Sequence, residues 1–559
     1  MKMLLKGGYI VNSDRKFQSD VLIENNIIKQ IGQSIVVSGD TKVIDVTNKL
    51  IIPGGIDPST NFNLSPNHRD ILHNESMAAL AGGTTTIITL VKEQSGAELV
   101  NSLKALQSDL KSKVLCNYGF CVQIDPNDDE CVKSMEKLAR QFGINCFQMT
   151  IGNEINANTV SVLKKCKELQ CLLKLRVHDS TYLEAVEEEL ITAGISGPEG
   201  FFQSRCIENE MEQLYRILKL NHVFPCCLII PQVMNEDIAK LVAKMKMEGR
   251  PIFSETIPPA LALSSHKYFS NNWDESASLI TDPPVRNDQD AAIIRSIHCG
   301  DIDMVASEHT TITNADRSIG KRDFRNIPHG VSGVEERLSM LWDRGVKSGI
   351  INECEFVSAT STNAAKIFNL YPDRGHIAVG SVADIVIWNP VKTRTISALS
   401  QHLQNDTNIF EGISCQGVPE VVIVNGSVKF QLNEFIGNAT GERIDLKINC
   451  QVVKDKMKRY ECLREFGKMG ITREISDNIG VASEIRTINN SHKVIQKDIV
   501  TVDSKINPLK MQRPPTSGGN RNMQDSSFSL SGSQIDDEKP IRSTIRTNHP
   551  PGGKSNLIF

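Results

Sequence analysis

Reactive side chains cluster at the ends of strand-like runs in this 559-residue chain. One such run ends at His178-Asp179 and another at Ser307-Glu308-His309. A third carries Gln148, with Gly152-Asn153-Glu154 beyond it, and a fourth ends at Gln232. The stretch Pro53-Gly54-Gly55-Ile56-Asp57-Pro58-Ser59-Thr60-Asn61-Phe62 belongs with them. Imidazoles and carboxylates are the groups that ligate divalent metals and move protons. Ser, Asn and Gln are poor neutral donors for zinc beside imidazole. Other chemistries lack their residues. There is no Gly-x-Gly-x-x-Gly, P-loop, Gly-x-Ser-x-Gly or CxxC pattern. The thiols Cys116, Cys121, Cys166 and Cys171 lie on strand or helix patterns, and Cys226-Cys227 opens a buried run, so they read as core residues. Trp342 and Trp388 read as core on the same ground.

The positions carry meaning because of the elements around them. Eight strand-like runs, 50–56, 84–90, 114–122, 146–151, 172–178, 226–233, 251–255 and 304–307, alternate with amphipathic helices. Residues 128–142 have an acidic start, apolar Val132, Met135, Leu138, Ala139 and Phe142 at helical spacing, and Gly143 as a stop. Residues 236–249 repeat the pattern, and 77–83 end in Gly82-Gly83. Eight strands alternating with helices imply a parallel (β/α)8 barrel, whose reactive groups sit at strand C-termini. Short β-type runs flank it at 3–11, 20–23, 27–31 and 43–46, and again at 385–388, 420–424 and 427–431. Asn25-Asn26 and Asn425-Gly426 mark tight hairpins. The flanks are expected to pair as a small β-sandwich built from both chain ends. The expected division is 1–52 and 371–450 for the sandwich, 53–370 for the barrel, 451–490 for a helical extension and 491–559 for a disordered tail.

Composition narrows the class. Lys and Arg number 62 against 66 Asp and Glu, so there is no global basic field for nucleic acid. No apolar run approaches the ~18 residues that cross a bilayer, and the N-terminus does not read as a signal peptide. Fourteen scattered cysteines then read as reduced thiols of a cytoplasmic protein. Residues 491–559 hold ten Lys/Arg and six Asp/Glu, a net of +4, with two aromatics, Phe528 and Phe559. Such a segment buries too little apolar surface to offset the ~1–2 kcal/mol per residue of backbone ordering. The remaining 490 residues carry 52 and 60, a net of −8.

Four stretches are specific: Ile52-Pro53-Gly54-Gly55-Ile56-Asp57-Pro58, Ala78-Ala79-Leu80-Ala81-Gly82-Gly83-Thr84-Thr85, Gly194-Ile195-Ser196-Gly197-Pro198-Glu199-Gly200 and Thr360-Ser361-Thr362-Asn363-Ala364-Ala365-Lys366. Through them the chain resembles the cyclic-amidohydrolase branch of the metal-dependent amidohydrolases, close to dihydropyrimidinase. More narrowly it resembles the collapsin response mediator proteins, the dihydropyrimidinase-related group. That likeness rests on Ile327-Pro328-His329-Gly330-Val331-Ser332-Gly333, Ile409-Phe410-Glu411-Gly412, the tail Ser527-Phe528-Ser529-Leu530-Ser531-Gly532-Ser533-Gln534-Ile535-Asp536-Asp537, and Pro550-Pro551-Gly552-Gly553. It covers roughly the whole chain and is weakest between about 450 and 520.

The resemblance implies a site. Enzymes of the superfamily hold two metals through a His-x-His pair, a carboxylated Lys, two further His and an Asp, and the metals activate a bridging water. Here the His pair falls on Ser59 and Asn61, the Lys on Gln148, the later His on His178 and Gln232, and the Asp on Glu308. One ligand of six survives in kind, and Gln148 has no amine to carboxylate. The expectation is a pseudoenzyme with no cofactor and no metal, in which His178 is a hydrogen-bonded pocket residue. The competing expectation is a hydrolase with a single metal rebuilt on Glu154, His178 and Glu308. The resemblance also implies a cytosolic adaptor, a homo- or hetero-tetramer with related subunits that binds tubulin and other cytoskeletal partners in neurite outgrowth and axon guidance. A basic tail on an acidic body suits an acidic surface such as tubulin. The family's tail is controlled by phosphorylation, partly at Ser/Thr-Pro sites, and this tail has no such dipeptide. Thr516, Ser543 and Thr544 follow arginines and are its weak basophilic-kinase candidates.

Overall fold

The chain changes sheet at glycines. Residues 3–11 read as one β-type run, yet they form two strands, Lys2–Lys6 and Tyr9–Val11. Gly7 between them has φ +85°, a conformation that glycine adopts without penalty. The first strand enters a four-stranded sheet with Asp20–Glu24, Ile27–Gly32 and Lys42–Asp45. The second enters a seven-stranded sheet that mixes both chain ends. The run at 50–56 divides the same way at Gly54. Leu50–Pro53 pairs antiparallel with Ile385–Thr395, while Gly55–Thr60 becomes the first barrel strand. That corrects the sequence reading, in which 50–56 was a single strand and Ser59 lay beyond its end. The two hairpins form as expected: Asn25 and Asn26 have φ of 49° and 73°, Asn425 and Gly426 of 47° and 73°. Both central residues are left-handed, as a type I′ turn requires.

This computed structural model describes residues 2–466 apart from 65–68, 93–98, 112, 153–154, 287–289 and 439–440. Glu154, the tail 491–559 with Thr516, Ser543 and Thr544, and the expected extension beyond Phe466 lie outside the described residues. Within them the extension begins as the helix Gln451–Phe466.

Eight parallel strands follow one another in a single sheet: Gly55–Thr60, Thr84–Val91, Asn117–Gln123, Cys146–Ile151, Leu172–Val177, Cys227–Ile230, Ile252–Thr256 and Met304–Val305. The eighth returns to the first through a parallel bridge between Thr60 and His309. Glu308 N–H donates to Ser59 O at 2.8 Å, and Asn61 N–H to His309 O at 2.8 Å. This is a (β/α)8 barrel. Every residue of Thr84–Val91 is buried, which a strand covered on both faces demands. The helices behave as their periodicity predicts. Asp128 caps Asp129–Gln141 by accepting from Glu130 N and Cys131 N, and the helix buries Cys131, Met135, Leu138 and Ala139. Burying one such Leu or Met is worth ~1.5–3 kcal/mol. Asn235 caps Glu236–Met247. All fourteen cysteines are free, and those singled out as core are buried. Trp342 and Trp388 are buried with ring centroids 5.5 Å apart.

Gly54 is the joint between sandwich and barrel. A Cβ there would meet the side chain of Thr85, approaching its Cβ to 2.8 Å. Gly54→Ala is therefore expected to lower stability by ~1–3 kcal/mol, measured as a shift in the urea midpoint with unchanged slope.

Candidate functional site

The fifth barrel strand supplies two residues that sequence inspection passed over. In Leu172-Leu173-Lys174-Leu175-Arg176-Val177, side chains alternate between faces, so Lys174 and Arg176 share the interior of the barrel. Lys174 is 2% exposed. Its ammonium donates to Ser59 Oγ, to Pro58 O at 2.9 Å and to Glu255 Oε1 at 3.0 Å, which uses all three of its donors. Ser59 Oγ donates in turn to Glu255 Oε1 at 2.6 Å. Arg176 Nη2 donates to Glu308 Oε1 at 3.2 Å, and its Nη1 to Gln232 Oε1 at 2.7 Å and Asp282 O at 3.3 Å. Asn61 Nδ2 closes the network by donating to Glu308 Oε2 at 3.2 Å.

Charge states follow from this geometry. Burial alone would lower the Lys174 pKa, but the surrounding groups, Glu255 foremost and Glu308 among them, together outweigh it, and the ammonium is held well above its ordinary value. Burial alone would raise Glu308, but the Arg176 and Lys174 cations bring it below the usual carboxylate range. Burial pushes Glu255 up, and Lys174 and Ser59 favour its anion. Two anions and two cations thus neutralise one another inside the barrel.

Four of the six predicted positions, Ser59, Asn61, Gln232 and Glu308, join this network. Gln148 pairs in register with Lys174 on the neighbouring strand. His178 differs from the expectation of a hydrogen-bonded pocket ring. It is exposed at the rim, and its main-chain N–H donates to Ile151 O at 2.9 Å. Among the described residues no hydrogen bond involves its ring. Gln232 and Glu308 have left-handed φ of 51° and 49°. Such a conformation costs a non-glycine residue ~1–3 kcal/mol and persists only where its surroundings hold it, often at functional sites. Beside Glu308, His309 is buried and neutral, its pKa pushed down to about 3 by desolvation. Its Nδ1 accepts from the N–H groups of Gly333 at 3.2 Å and Val334 at 3.4 Å. The motif ending at Gly333 therefore clamps the strand-eight rim.

The residues do not fit a bridged pair of metal ions. The donors are neutral hydroxyl and carboxamide groups, a lysine carbamate cannot form at Gln148, and both interior carboxylates already hold side-chain cations. Among the described residues no group of three or more His, Cys, Asp or Glu could hold a metal. The sequence signal for Lys174 and Arg176 was present: two cations spaced by two in an otherwise apolar barrel strand.

Residues 50–429 match the model of the amidohydrolase family. Human dihydropyrimidinase-related protein 5 is 34% identical over all of this chain and 99% of its own length. Dihydropyrimidinase 2 of Caenorhabditis elegans is 37% identical over 81% of this chain and 89% of its own. The crystal structure of dihydropyrimidinase from Brevibacillus agri superimposes with a TM-score of 0.75 at 28% identity, covering 80% of this chain and 99% of that one. The chain belongs to the amidohydrolase family, within its dihydropyrimidinase-related group.

Lys174→Met would strand Glu255 without a counter-ion in a fully buried site. It is expected to destabilise the fold by ~3–5 kcal/mol, and Lys174→Met with Glu255→Leu by less than that. Chemical denaturation of the single and double variants checks both.

Proposed function

We propose that this chain is a non-catalytic, amidohydrolase-like cytosolic adaptor that binds tubulin and related cytoskeletal partners in neurite outgrowth and axon guidance. The observation that carries the loss of hydrolysis is the Lys174–Glu255–Ser59 and Arg176–Glu308 network in the barrel interior. A water is activated for amide hydrolysis by a metal that lowers its pKa toward 7. Here the interior positive charge belongs to an ammonium and a guanidinium, and neither offers a water an open coordination position. The full-length likeness to a protein named for its relation to dihydropyrimidinase supports the same reading.

Function then comes from surfaces. The sequence carries its excess of positive charge in residues 491–559, on a body of opposite sign. Such a segment is attracted to an acidic surface of the kind tubulin presents, and salt screens the attraction. Phosphate at Thr516, Ser543 or Thr544 would remove about two positive charges each from that balance. Co-assembly into homo- or hetero-tetramers with related subunits would multiply the contacts.

The rival reading, a cyclic amidohydrolase with one metal on Glu154, His178 and Glu308, draws on the identity shared with proteins named dihydropyrimidinase. Purified protein separates the two. The expected result is substoichiometric zinc, no turnover of dihydrouracil, and a tubulin pull-down that weakens with salt and is lost on deleting 491–559. Near-stoichiometric zinc with turnover that disappears in His178→Ala would overturn the adaptor reading.

A further inference from the structure

A cavity of about 240 Å³ lies beside the filled barrel centre. It is lined at the rim by His178, Arg205 and Gln232, and farther in by residues of the fifth and sixth strands and the helix Ile207–Val223. Its inner wall is apolar for a simple reason. Leu175 and Val177 occupy the outer face of the fifth strand, opposite to Lys174 and Arg176. Leu214 and Ile217 stand one turn apart on the helix and complete the slot with Ile230. The space is smaller than the ~300 Å³ at the low end of drug-sized pockets, so its occupant is small.

The mouth of this slot holds three arginines, each facing a carboxylate, and one of their donors lacks a hydrogen-bond partner. Arg286 Nε is tied to Glu210 Oε2 at 3.1 Å, and Arg176 to Glu308. Arg205 Nη1 serves three acceptors: Glu187 Oε1 at 3.0 Å, Ser204 Oγ at 2.8 Å and Phe201 O at 3.5 Å. Arg205 Nε, in contrast, is buried and has no hydrogen-bond partner among the described residues. The facing carboxylate, Asp282 Oδ2, stays 3.7 Å away. A buried donor left without an acceptor is destabilising, and such a group in a native fold calls for a missing partner. Arg205 cannot turn outward to find one, because its guanidinium lies 3.7 Å from the centroid of the Phe201 ring and its side chain is only 9% exposed. Burial also lifts Glu210 to about 7, which removes part of the mouth's negative charge near neutral pH.

We propose that this slot binds a small monocarboxylate with an apolar body. The carboxylate accepts hydrogen bonds from Arg205, and from the His178 ring that the barrel network leaves aside. The hydrocarbon lies against Leu175, Leu214 and Ile217. The inference holds whether or not the chain binds tubulin.

The test is titration calorimetry of the full chain with 4-methylpentanoate and with its neutral amide, 4-methylpentanamide. The acid is expected to bind with a Kd on the order of 1 mM, and the amide at least ~10-fold more weakly. His178→Ala, a rim substitution compatible with folding, and Arg205→Gln, checked for folding by circular dichroism, are each expected to weaken the acid several-fold. Equal binding of acid and amide, absence of saturable acid binding, or acid binding unchanged in folded His178→Ala would overturn the proposal.

Discussion

The interior of this barrel depends on how two buried carboxylates are neutralised. Glu255 and Glu308 end the seventh and eighth strands and face the same enclosed space. Two anions in a low dielectric would repel strongly, and each would lose several kcal/mol of hydration. The fifth strand answers with Lys174 and Arg176, two residues apart and therefore on one face. A buried ion pair stabilises a fold only when its remaining donors and acceptors are also satisfied. Lys174 meets that condition with three acceptors, and Ser59 bridges the pair. The hydroxyl and carboxamides at Ser59, Asn61 and Gln232 are thus the hydrogen-bonding partners of an internal salt bridge.

The same region closes the barrel. The first and eighth strands meet through Thr60 and His309, and the main chain of Ser59, Asn61 and Glu308 carries the closing hydrogen bonds. His309 is held from the other side by Gly333 and Val334. Backbone closure and side-chain charge balance therefore share residues, so damage to one weakens the other. This coupling explains how Gln232 and Glu308 keep left-handed backbones that neither side chain favours.

Much of this was legible in the chain itself. Alternation of strand and helix patterns pointed to the barrel, and Asn-Asn and Asn-Gly located both hairpins. The positions Ser59, Asn61, Gln232 and Glu308 were legible because strand ends face the mouth in any barrel of this kind. Their partners were not. Lys174 meets Ser59 and Glu255 across 115 and 81 residues, and no local pattern encodes such convergence. The sheet changes at Gly7 and Gly54 were hidden for another reason. Apolar β-type residues flank each joint closely on both sides, and the glycine acts differently at the two: Gly7 takes a left-handed φ, whereas Gly54 leaves room for the Thr85 side chain.

The Lys174–Glu255 pair bears on the routes open to this sequence under mutation. A two-metal centre would need imidazoles at Ser59, Asn61 and Gln232, a lysine at Gln148, and the departure of both interior cations. A lysine at Gln148, made first, sets a third cation beside Lys174, loss of Lys174 or Arg176 leaves a carboxylate without its counter-charge, and an imidazole at Ser59, Asn61 or Gln232 removes a hydrogen-bonding partner of the network. Stepwise drift toward that donor set therefore descends through less stable intermediates, and the electrostatics of the core act as a ratchet.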